Sequence, residues 1–476
     1  MRDGFQTIRI NFLGGIASPG ELRDLLLAMR SCEVSRVRFG LRQQLLFRMS
    51  VLHEKNFSQR MKTLNQRFSV DKNTHPNIVS SYVSEEVFQT GNWLSEGIYK
   101  DVFDSFDRNP ELKVNISDAE QSFTPFFSGH INFISSAQAN FWHLYVRKPK
   151  TNSLLSYDKL IFSNEIGAVS AKIEENILNG NSDCFEDLVL GISSKAKQTL
   201  KLPKFSLPYY EGFNRYGKKS WLGIYKRDEY FSISFLIDLC TLCINTKIGE
   251  ICLSPWKSII VKNINEKDRK KWSALLAQHD INVRHAANEL NWQVEDNSTA
   301  ALKLKMKLAR YFNKKDLRTF GICLGIKTLP KTEVFASILV TQRSLKALPI
   351  FKVYDITYTT DYDPNGREVA FYAKSILPFQ LKSRLRKSIL EFNTHIAGKP
   401  LSEKIETPDI SERPSQIKTV QQCPNCLAVY DPEFGDILND ISPGVPFEEL
   451  PTEHRCPICE TEKQAFKIIS LELAQG

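Results

Sequence analysis

The sequence lacks the segments that would place a protein in or across a membrane. No apolar run approaches the roughly 18 residues that a membrane-spanning helix needs. The opening stretch "MRDGFQTIRINFLGG" has no apolar core of secretory length. Ten cysteines without an export signal are more typical of thiols or metal ligands in a reducing compartment than of disulfides. We therefore expect a cytoplasmic protein with no membrane partner.

Motifs for binding nucleotides or nucleic acids are missing as well. Without a Gly-x-Gly-x-x-Gly or Gly-Lys-Ser/Thr loop, the sequence does not support a nucleotide or flavin site. The eight histidines show no metal-ligand spacing. The net charge of +9 is not accompanied by any recognisable nucleic-acid-binding module. We expect no nucleic acid among the partners.

The charge is unevenly distributed along the chain. Residues 422–476 contain ten acidic and three basic residues, a net charge of −7, so the preceding residues carry about +16. This asymmetry indicates either that the basic part binds the acidic part, or that it holds a polyanionic cofactor or partner. Solvated surface charge is the alternative explanation.

A polar segment divides the chain into a long and a short part. Residues 399–421 contain three prolines and no apolar period, which is typical of a linker. The segment that follows is about 50 residues long and too short to bury a stable core alone. We expect a bound metal to stabilise it.

The long part contains a unit that recurs 214 positions later. The first copy, which begins with "FQTIRINF", follows the order strand, helix, strand, strand, helix. Its first helix is predicted to start with Ser18 as N-cap, Pro19 at the first position and Glu21 completing a capping box. In the second copy, "FSISF" at 231–235 is assigned to the first strand. The repeated order of elements predicts a duplication.

Two Cys-x-x-Cys motifs lie in the short part. Cys423, Cys426, Cys456 and Cys459 have the spacing C-x2-C-x29-C-x2-C. Each turn can direct both of its sulfur atoms to one point, so the two turns can complete a tetrahedral four-sulfur site for zinc or iron. Because the thiols must lose their protons, metal binding would also stabilise the fold of this segment. The spacing alone does not decide between the two metals.

The residues around these motifs resemble rubredoxin over residues 423–466. The matching stretches are "VYDPEFGD", "PGVPFEELP" and "CPICETEKQAF". The resemblance implies a small rubredoxin fold in which the four cysteines hold one iron that alternates between Fe3+ and Fe2+. It also implies an aromatic core of Tyr430, Phe447 and Phe466.

Three positions depart from the rubredoxin pattern. The family has glycine after the second cysteine of each motif, where positive φ is needed, but Leu427 and Glu460 stand there in this chain. A side chain in that conformation costs on the order of 1 kcal/mol. The family's tryptophan is replaced by His454. These changes could alter the reduction potential or relax the choice of metal.

The repeat resembles the duplicated half-domain of nitrite and sulfite reductase haemoproteins. "IRINFLGGIASPGELRDLL…VRFGLRQQLLFR" carries the resemblance in the first copy, and "EICLSPWKSIIV" carries it in the second. It implies an α+β body with ferredoxin-like half-domains over roughly residues 5–395. Because basic strand residues bind sirohaem carboxylates in that family, it also implies tetrapyrrole contacts by Arg38, Arg42, Arg48 and Lys257. Surface arginines on a strand edge are the alternative.

The cysteine motifs of the catalytic members are missing. Those members hold a [4Fe–4S] cluster with C-x5-C and C-x3-C, whereas here only Cys323 lies between Cys252 and Cys423. We therefore expect no [4Fe–4S] cluster. The cysteines outside the two motifs are predicted to be buried core residues: Cys32, Cys184, Cys240, Cys243, Cys252 and Cys323.

These features together predict six segments along the chain. They are a first ferredoxin-like half-domain at 1–72, an α+β domain at 73–215, a second half-domain at 216–286, a second α+β domain at 287–398, the linker at 399–421 and the rubredoxin domain at 422–470.

The predicted function is one-electron transfer with redox partner proteins in a nitrite/sulfite-type reductive pathway. The body would serve as a docking or tetrapyrrole-binding module, and an electron carrier is favoured over a catalytic reductase. One alternative is a non-catalytic scaffold with a structural zinc. Another is a reductase that uses a sirohaem in the body alone.

Overall fold

The structure falls into two compact units, Met1–Ile396 and Ala397–Gly476, which we call the body and the tail unit. It is a computed structural model that describes a defined set of residues: 4–88, 93–151, 153–195, 199–319, 321–329, 334–344, 352–398, 417–426, 428–436, 439, 441–457 and 459–472. No helix among these residues is long and apolar enough to cross a bilayer.

The first copy of the repeat is an antiparallel sheet covered by two helices, Pro19–Arg30 and Glu54–Thr63. Alternation along its first strand buries Ile8 and Ile10. Ser18 is the N-cap residue of the first helix, but its side chain makes no capping hydrogen bond. The sheet contains five strands in this order: Phe231–Ser232, Arg36–Phe39, Leu45–Ser50, Phe5–Ile10 and Ser69–Val70.

The second copy repeats this arrangement with helices Ile233–Asn245 and Arg269–Gln278. Its sheet also has five strands, in this order: Gly212–Tyr216, Lys219–Ile224, Ile259–Asn265, Ile251–Leu253 and Ile16–Ala17.

The first strand of the second copy is not the one that the sequence suggested. The counterpart of Phe5–Ile10, 214 positions later, is Lys219–Ile224. The assigned segment 231–235 contributes only the short strand Phe231–Ser232, and the helix already begins at Ile233. Alternating apolar residues were misleading here because Phe231, Ile233 and Phe235 are buried by a strand end and the first helical turn together.

The two copies exchange short strands. Phe231–Ser232 of the second copy pairs with Arg36–Phe39 in the first sheet. Ile16–Ala17 of the first copy pairs in turn with Ile251–Leu253 in the second sheet. The two copies therefore share one hydrophobic core, which supports the predicted duplication.

Each copy makes the same turn between its two central strands. Gln43 and Lys257, 214 positions apart, have φ values of 57° and 58°. The N–H of Gln43 donates to the carbonyl of Gly40 at 3.0 Å, and the N–H of Lys257 donates to that of Ser254 at 3.1 Å. Positive φ is uncommon for residues other than glycine. The matching conformation of the two turns therefore supports the predicted duplication.

Two further sheets complete the body. One follows the first copy, has helices Glu96–Asp104 and Ile166–Asn179, and contains these strands: Val79–Ser80, Val114–Ser117, Ile131–Ser135, Phe141–Arg147, Leu154–Ser156, Lys159–Phe162 and Ser193–Lys195. The other follows the second copy and contains these elements: helices Ala287–Leu290, Thr299–Lys314 and Leu381–Gly398, and strands Trp292–Val294, Leu324–Lys327, Ile338–Ser344, Lys352–Thr359 and Val369–Ile376. The α+β fold class predicted from the sequence is confirmed.

The six cysteines of the body are buried thiols, as predicted. Cys240 and Cys243 lie on helix Ile233–Asn245 in the core shared by the two copies. Burial raises the pKa of Cys240 and of Cys252 to about 12. These thiols are therefore protonated at neutral pH and pack as small apolar side chains.

The tail unit contains a three-stranded antiparallel sheet. Its strands run in the order Val429–Tyr430, Ile417–Gln422 and Lys467–Glu472. The central strand begins inside the predicted linker 399–421, because its backbone pairs along its whole length with the last strand. The remainder of that linker, 399–416, lies outside the described residues.

The repeated turn yields a test of how the body is held together. The amide nitrogen of Gln43 donates to the carbonyls of Ser80 (3.0 Å) and Leu253 (2.9 Å), and its oxygen accepts from the Ser80 N–H (2.9 Å). We expect Gln43→Leu to lower the free energy of unfolding by about 3 kcal/mol, because buried backbone groups would lose their partners. Thermal unfolding followed by circular dichroism measures the loss.

A control for this variant is Gln6→Leu. The buried amide nitrogen of Gln6 has no hydrogen-bond partner among the described residues. The same change of side chain should therefore have little effect there. Equal losses in the two variants would contradict a clamping role for Gln43.

Candidate metal centre

The four cysteines of the tail unit converge on one point. Their sulfur atoms all lie within 4.8 Å of one another. Each motif forms the same turn, since the Cys423 N–H donates to the Ala428 carbonyl and the Cys456 N–H to the Thr461 carbonyl, both at 2.8 Å. Four thiols in this arrangement match the donor set of a tetrahedral iron or zinc ion.

Polar groups around the sulfur atoms lower the pKa of two of the four thiols, Cys423 and Cys459. Hydrogen bonds from the Thr461 hydroxyl and N–H lower the pKa of the Cys459 thiol. Burial by itself would raise the pKa of Cys423, but the N–H groups of Cys426 and Asn425 and the Thr461 hydroxyl lower it to about 6. Donors of this kind compensate part of the negative charge that metal-bound sulfur carries.

The site reaches the protein surface on one side. Cys423 and Cys456 are buried, Cys426 is partly exposed and Cys459 is exposed. The protein thus shields two sulfur atoms from water and presents a third. Such an opening lets an electron pass to or from a bound metal over a short distance.

The departures from the rubredoxin pattern have structural consequences. Glu460 has a φ of 59°, so a side chain occupies the left-handed conformation that the family gives to glycine. Its N–H donates to the Cys456 carbonyl at 2.9 Å, which fixes the turn around the sulfur. Leu427, the other departure, lies outside the described residues.

The predicted aromatic core includes the residue that replaces tryptophan. The rings of Tyr430 and Phe447 are 5.6 Å apart and those of Phe447 and Phe466 are 5.2 Å apart. The ring of His454 lies 6.1–6.5 Å from all three. Burial lowers the pKa of His454, so it packs as a neutral ring at neutral pH.

In the body, the structure brings together only two of the four predicted tetrapyrrole contacts. Arg38 and Lys257 both point to Glu229, with nitrogen–oxygen distances of 3.4 and 2.9 Å. Arg42 is directed elsewhere, and its guanidinium donates to the carbonyls of Asn77 and Val114. All three basic side chains are buried.

The fourth predicted contact, Arg48, is exposed and lies over the ring of Phe5, 5.2 Å from its centre. Its repeat counterpart, Lys262, is buried, 3.7 Å from Glu250 and 4.1 Å from the ring centre of Tyr82. Lys262 was not among the predicted contacts, although the 214-residue offset from Arg48 leads directly to it.

Lys305 and Glu229 were also missed. Lys305 interrupts an otherwise apolar buried face of helix Thr299–Lys314, which is a readable signal of a partnered charge. Its ammonium lies 3.5 Å from Glu229. Glu229 itself occupies a short turn whose local sequence does not reveal its burial.

The strained turn at Glu460 predicts a stabilising substitution. Glu460→Gly should increase the stability of the metal-loaded tail unit by about 1 kcal/mol, because glycine adopts positive φ without steric cost. The rate of metal loss to a chelator in the full chain measures the effect and should fall. Glu462→Gly is the matched control, since Glu462 has a φ of −66°. Equal or faster loss from Glu460→Gly would contradict the prediction.

Comparison with solved structures identifies the fold of most of the chain. The NirA protein of Mycobacterium tuberculosis matches with a TM-score of 0.62 and 12% identity, over 82% of this chain and 81% of that one. At this identity the likeness establishes the fold alone.

Sequence comparison concerns the tail unit. The rubredoxin family model matches residues 420–466. A rubredoxin of Trichormus variabilis is 50% identical over 48 residues, 10% of this chain and 43% of the relative. A probable rubredoxin of Methanothermobacter thermautotrophicus is 48% identical over 46 residues, which are 10% of this chain and 73% of the relative.

Larger relatives share the same segment. The anaerobic nitric oxide reductase flavorubredoxin of Salmonella paratyphi A is 39% identical over 51 residues, 11% of each chain. The chain spans about two fifths of the first relatives that it matches. With four converging thiols and a family match across them, residues 420–466 are a rubredoxin domain, and through this domain the chain belongs to the rubredoxin family.

Proposed function

We propose that this chain is a one-electron carrier in a nitrite/sulfite-type reductive pathway. In this proposal, Cys423, Cys426, Cys456 and Cys459 hold one iron, and the body is a docking module for redox partner proteins. The convergence of the four sulfur atoms within 4.8 Å, inside a rubredoxin domain, is the observation that carries the proposal. The buried thiols of the body suit a reducing location, which we propose to be the cytoplasm.

The residues around the sulfur atoms suit this role. A bound iron would supply reversible Fe3+/Fe2+ chemistry and no bond-making step. The N–H groups of Asn425, Cys426 and Thr461 point to sulfur and stabilise the negative charge that increases on reduction. With iron bound, exposed Cys459 would offer the path for the electron, and the buried Cys423 and Cys456 would shield the metal from water.

A basic face of the body supports the docking role. A shallow concavity of about 660 Å³ is lined by five basic side chains. Four of them lie on or next to helix Thr299–Lys314, and the fifth is Lys382: Lys307, Arg310, Lys314, Lys315 and Lys382. Tyr311 also lines it, and no carboxylate of the described residues does. We call these residues the basic face. A surface of one sign attracts a partner of the opposite sign and accelerates its association. We therefore propose an acidic redox protein as the occupant.

The iron assignment predicts a coloured protein. The purified chain should be red, with thiolate-to-iron bands that bleach on addition of one electron per chain. Cys459→Ala should lose these bands, because the site loses a ligand. Cys243→Ala is the matched control: it removes one cysteine of another Cys-x-x-Cys pair, which lies on a helix in the core. Absorption and metal analysis measure both outcomes.

A colourless protein containing one zinc would contradict electron transfer. That result would favour the alternative in which the chain is a non-catalytic scaffold with a structural metal.

The docking role predicts salt-sensitive binding. An acidic [2Fe–2S] ferredoxin, used as the probe, should bind the full chain at low ionic strength and dissociate as salt is added. A Lys307→Glu/Lys314→Glu double variant should weaken binding by at least about tenfold, since both charges face the concavity. Isothermal titration calorimetry measures the affinity.

The control places the same charge reversal away from the basic face, at exposed Lys267 and Lys270. That double variant should bind almost as well as the unmodified chain. Equal weakening in the two variants would show that net charge, and not the basic face, drives the interaction.

A further inference from the structure

Two of the four predicted tetrapyrrole contacts, Arg38 and Lys257, meet at a carboxylate of the protein itself. Glu229 is 2% exposed. Its Oε2 accepts from Lys257 Nζ at 2.9 Å and from Arg38 Nη2 at 3.4 Å, and its Oε1 lies 3.5 Å from Lys305 Nζ. Three buried cations thus share one buried anion, and we call these four residues the Glu229 cluster.

A second protein carboxylate completes the surroundings of Lys257. Asp296 Oδ1 lies 3.3 Å from Lys257 Nζ. The same carboxylate accepts from the Leu41 N–H at 3.2 Å and from the Gln44 side chain at 3.3 Å. The Lys257 ammonium also donates to the Glu295 carbonyl at 3.4 Å. Acceptor groups of the protein therefore surround the Lys257 ammonium, which was expected to contact a cofactor.

Glu229 is held in its charged form. Burial by itself would raise its pKa, but the charges of Lys257, Lys305 and Arg38 lower it to about 2. Because buried cations are costly without a counter-ion, Arg38 and Lys305 need this carboxylate, and Lys257 pairs with both Glu229 and Asp296. The cluster is thus a source of stability only while Glu229 is present and ionised.

The cluster joins three parts of the body. Arg38 belongs to strand Arg36–Phe39 of the first copy, and Lys257 belongs to the central turn of the second copy. Lys305 comes from helix Thr299–Lys314. Glu229 therefore links elements that are far apart in sequence. A polyanionic cofactor bound between these elements would link them in the same way.

The donors do not fit a tetrapyrrole in this arrangement. A cofactor carboxylate would have to displace Glu229 from Lys257 and Arg38. At Arg42 it would compete with the carbonyls of Asn77 and Val114, at 2.7–3.0 Å, which would be left buried without this donor. Leaving such groups unpaired is unfavourable. Arg48 lies over Phe5 and is exposed.

We infer that Glu229 takes the place of a cofactor carboxylate, and that the body is a cofactor-free form of its fold. This inference deepens the proposed function, on which it rests for the role of the body, by assigning that body to docking alone.

The first test is a tetrapyrrole titration of the full chain. Sirohaem added to the iron-loaded protein should keep the absorption spectrum of the free pigment and should separate from the protein on gel filtration. Stoichiometric retention with a shifted spectrum, abolished by Arg42→Ala or Lys257→Ala, would overturn the inference. This measurement does not depend on whether the iron site transfers electrons.

The second test replaces the carboxylate. Glu229→Ala should lower the thermal midpoint of the body by several degrees, and added formate should recover at least half of that loss, because a small carboxylate can enter the space beside the three cations. Chloride at the same ionic strength should recover less. A variant as stable as the unmodified chain, or equal recovery by the two salts, would overturn the inference.

Two further proteins serve as references for this experiment. Glu266→Ala removes a half-exposed carboxylate that pairs with Arg269, and it should show no specific response to formate. Glu229→Gln keeps the size of the side chain and removes the charge. If Glu229→Ala does not fold, Glu229→Gln supplies the thermal midpoint, and a midpoint equal to that of the unmodified chain would overturn the inference.

Discussion

Four sulfur atoms within 4.8 Å of one another are the constraint on which the proposed electron transfer depends. Thiolates at this separation repel one another, and a bound cation offsets that repulsion. The apolar cluster of the tail unit is small, since Tyr430, Phe447 and Leu450 form its buried part among the described residues. Metal binding and folding of this unit are therefore linked, and the same sulfur atoms that stabilise the fold define the redox centre.

The body also contains buried charges that need partners, and there the partners are groups of the protein. Its repeated turns direct long polar side chains inward, where each must find a partner. Gln43 finds backbone groups of two neighbouring segments, and Lys257, at the equivalent position, finds Glu229 and Asp296. The NirA-like fold is thus compatible with an interior in which protein carboxylates balance the basic residues. This internal pairing leaves exposed cations, those of the basic face among them, as the charges available to a partner.

Much of the fold and of the metal site could be predicted because both leave local or periodic signals. The motif spacing identified the four cysteines, and the matching segments identified the rubredoxin domain, both of which are confirmed. The 214-residue offset identified the duplication, but the first strand of the second copy was placed wrongly. Lys219–Ile224 contains a glycine and polar residues that weaken the alternation, whereas Phe231–Phe235 alternates across a strand end and a helix start.

Motif spacing and the 214-residue period were enough to predict a metal-binding cluster of two Cys-x-x-Cys turns and a body that repeats an α+β unit. Which basic residues meet depends instead on contacts between distant segments. Arg38, Arg42 and Arg48 follow one alternating pattern, but a positive-φ turn and strand ends separate them in space. Arg38 contacts Glu229, Arg42 contacts backbone carbonyls and Arg48 lies at the surface. The physical reason is that alternation fixes the face of a strand on which a side chain lies, while the counter-charge comes from residues almost two hundred positions away.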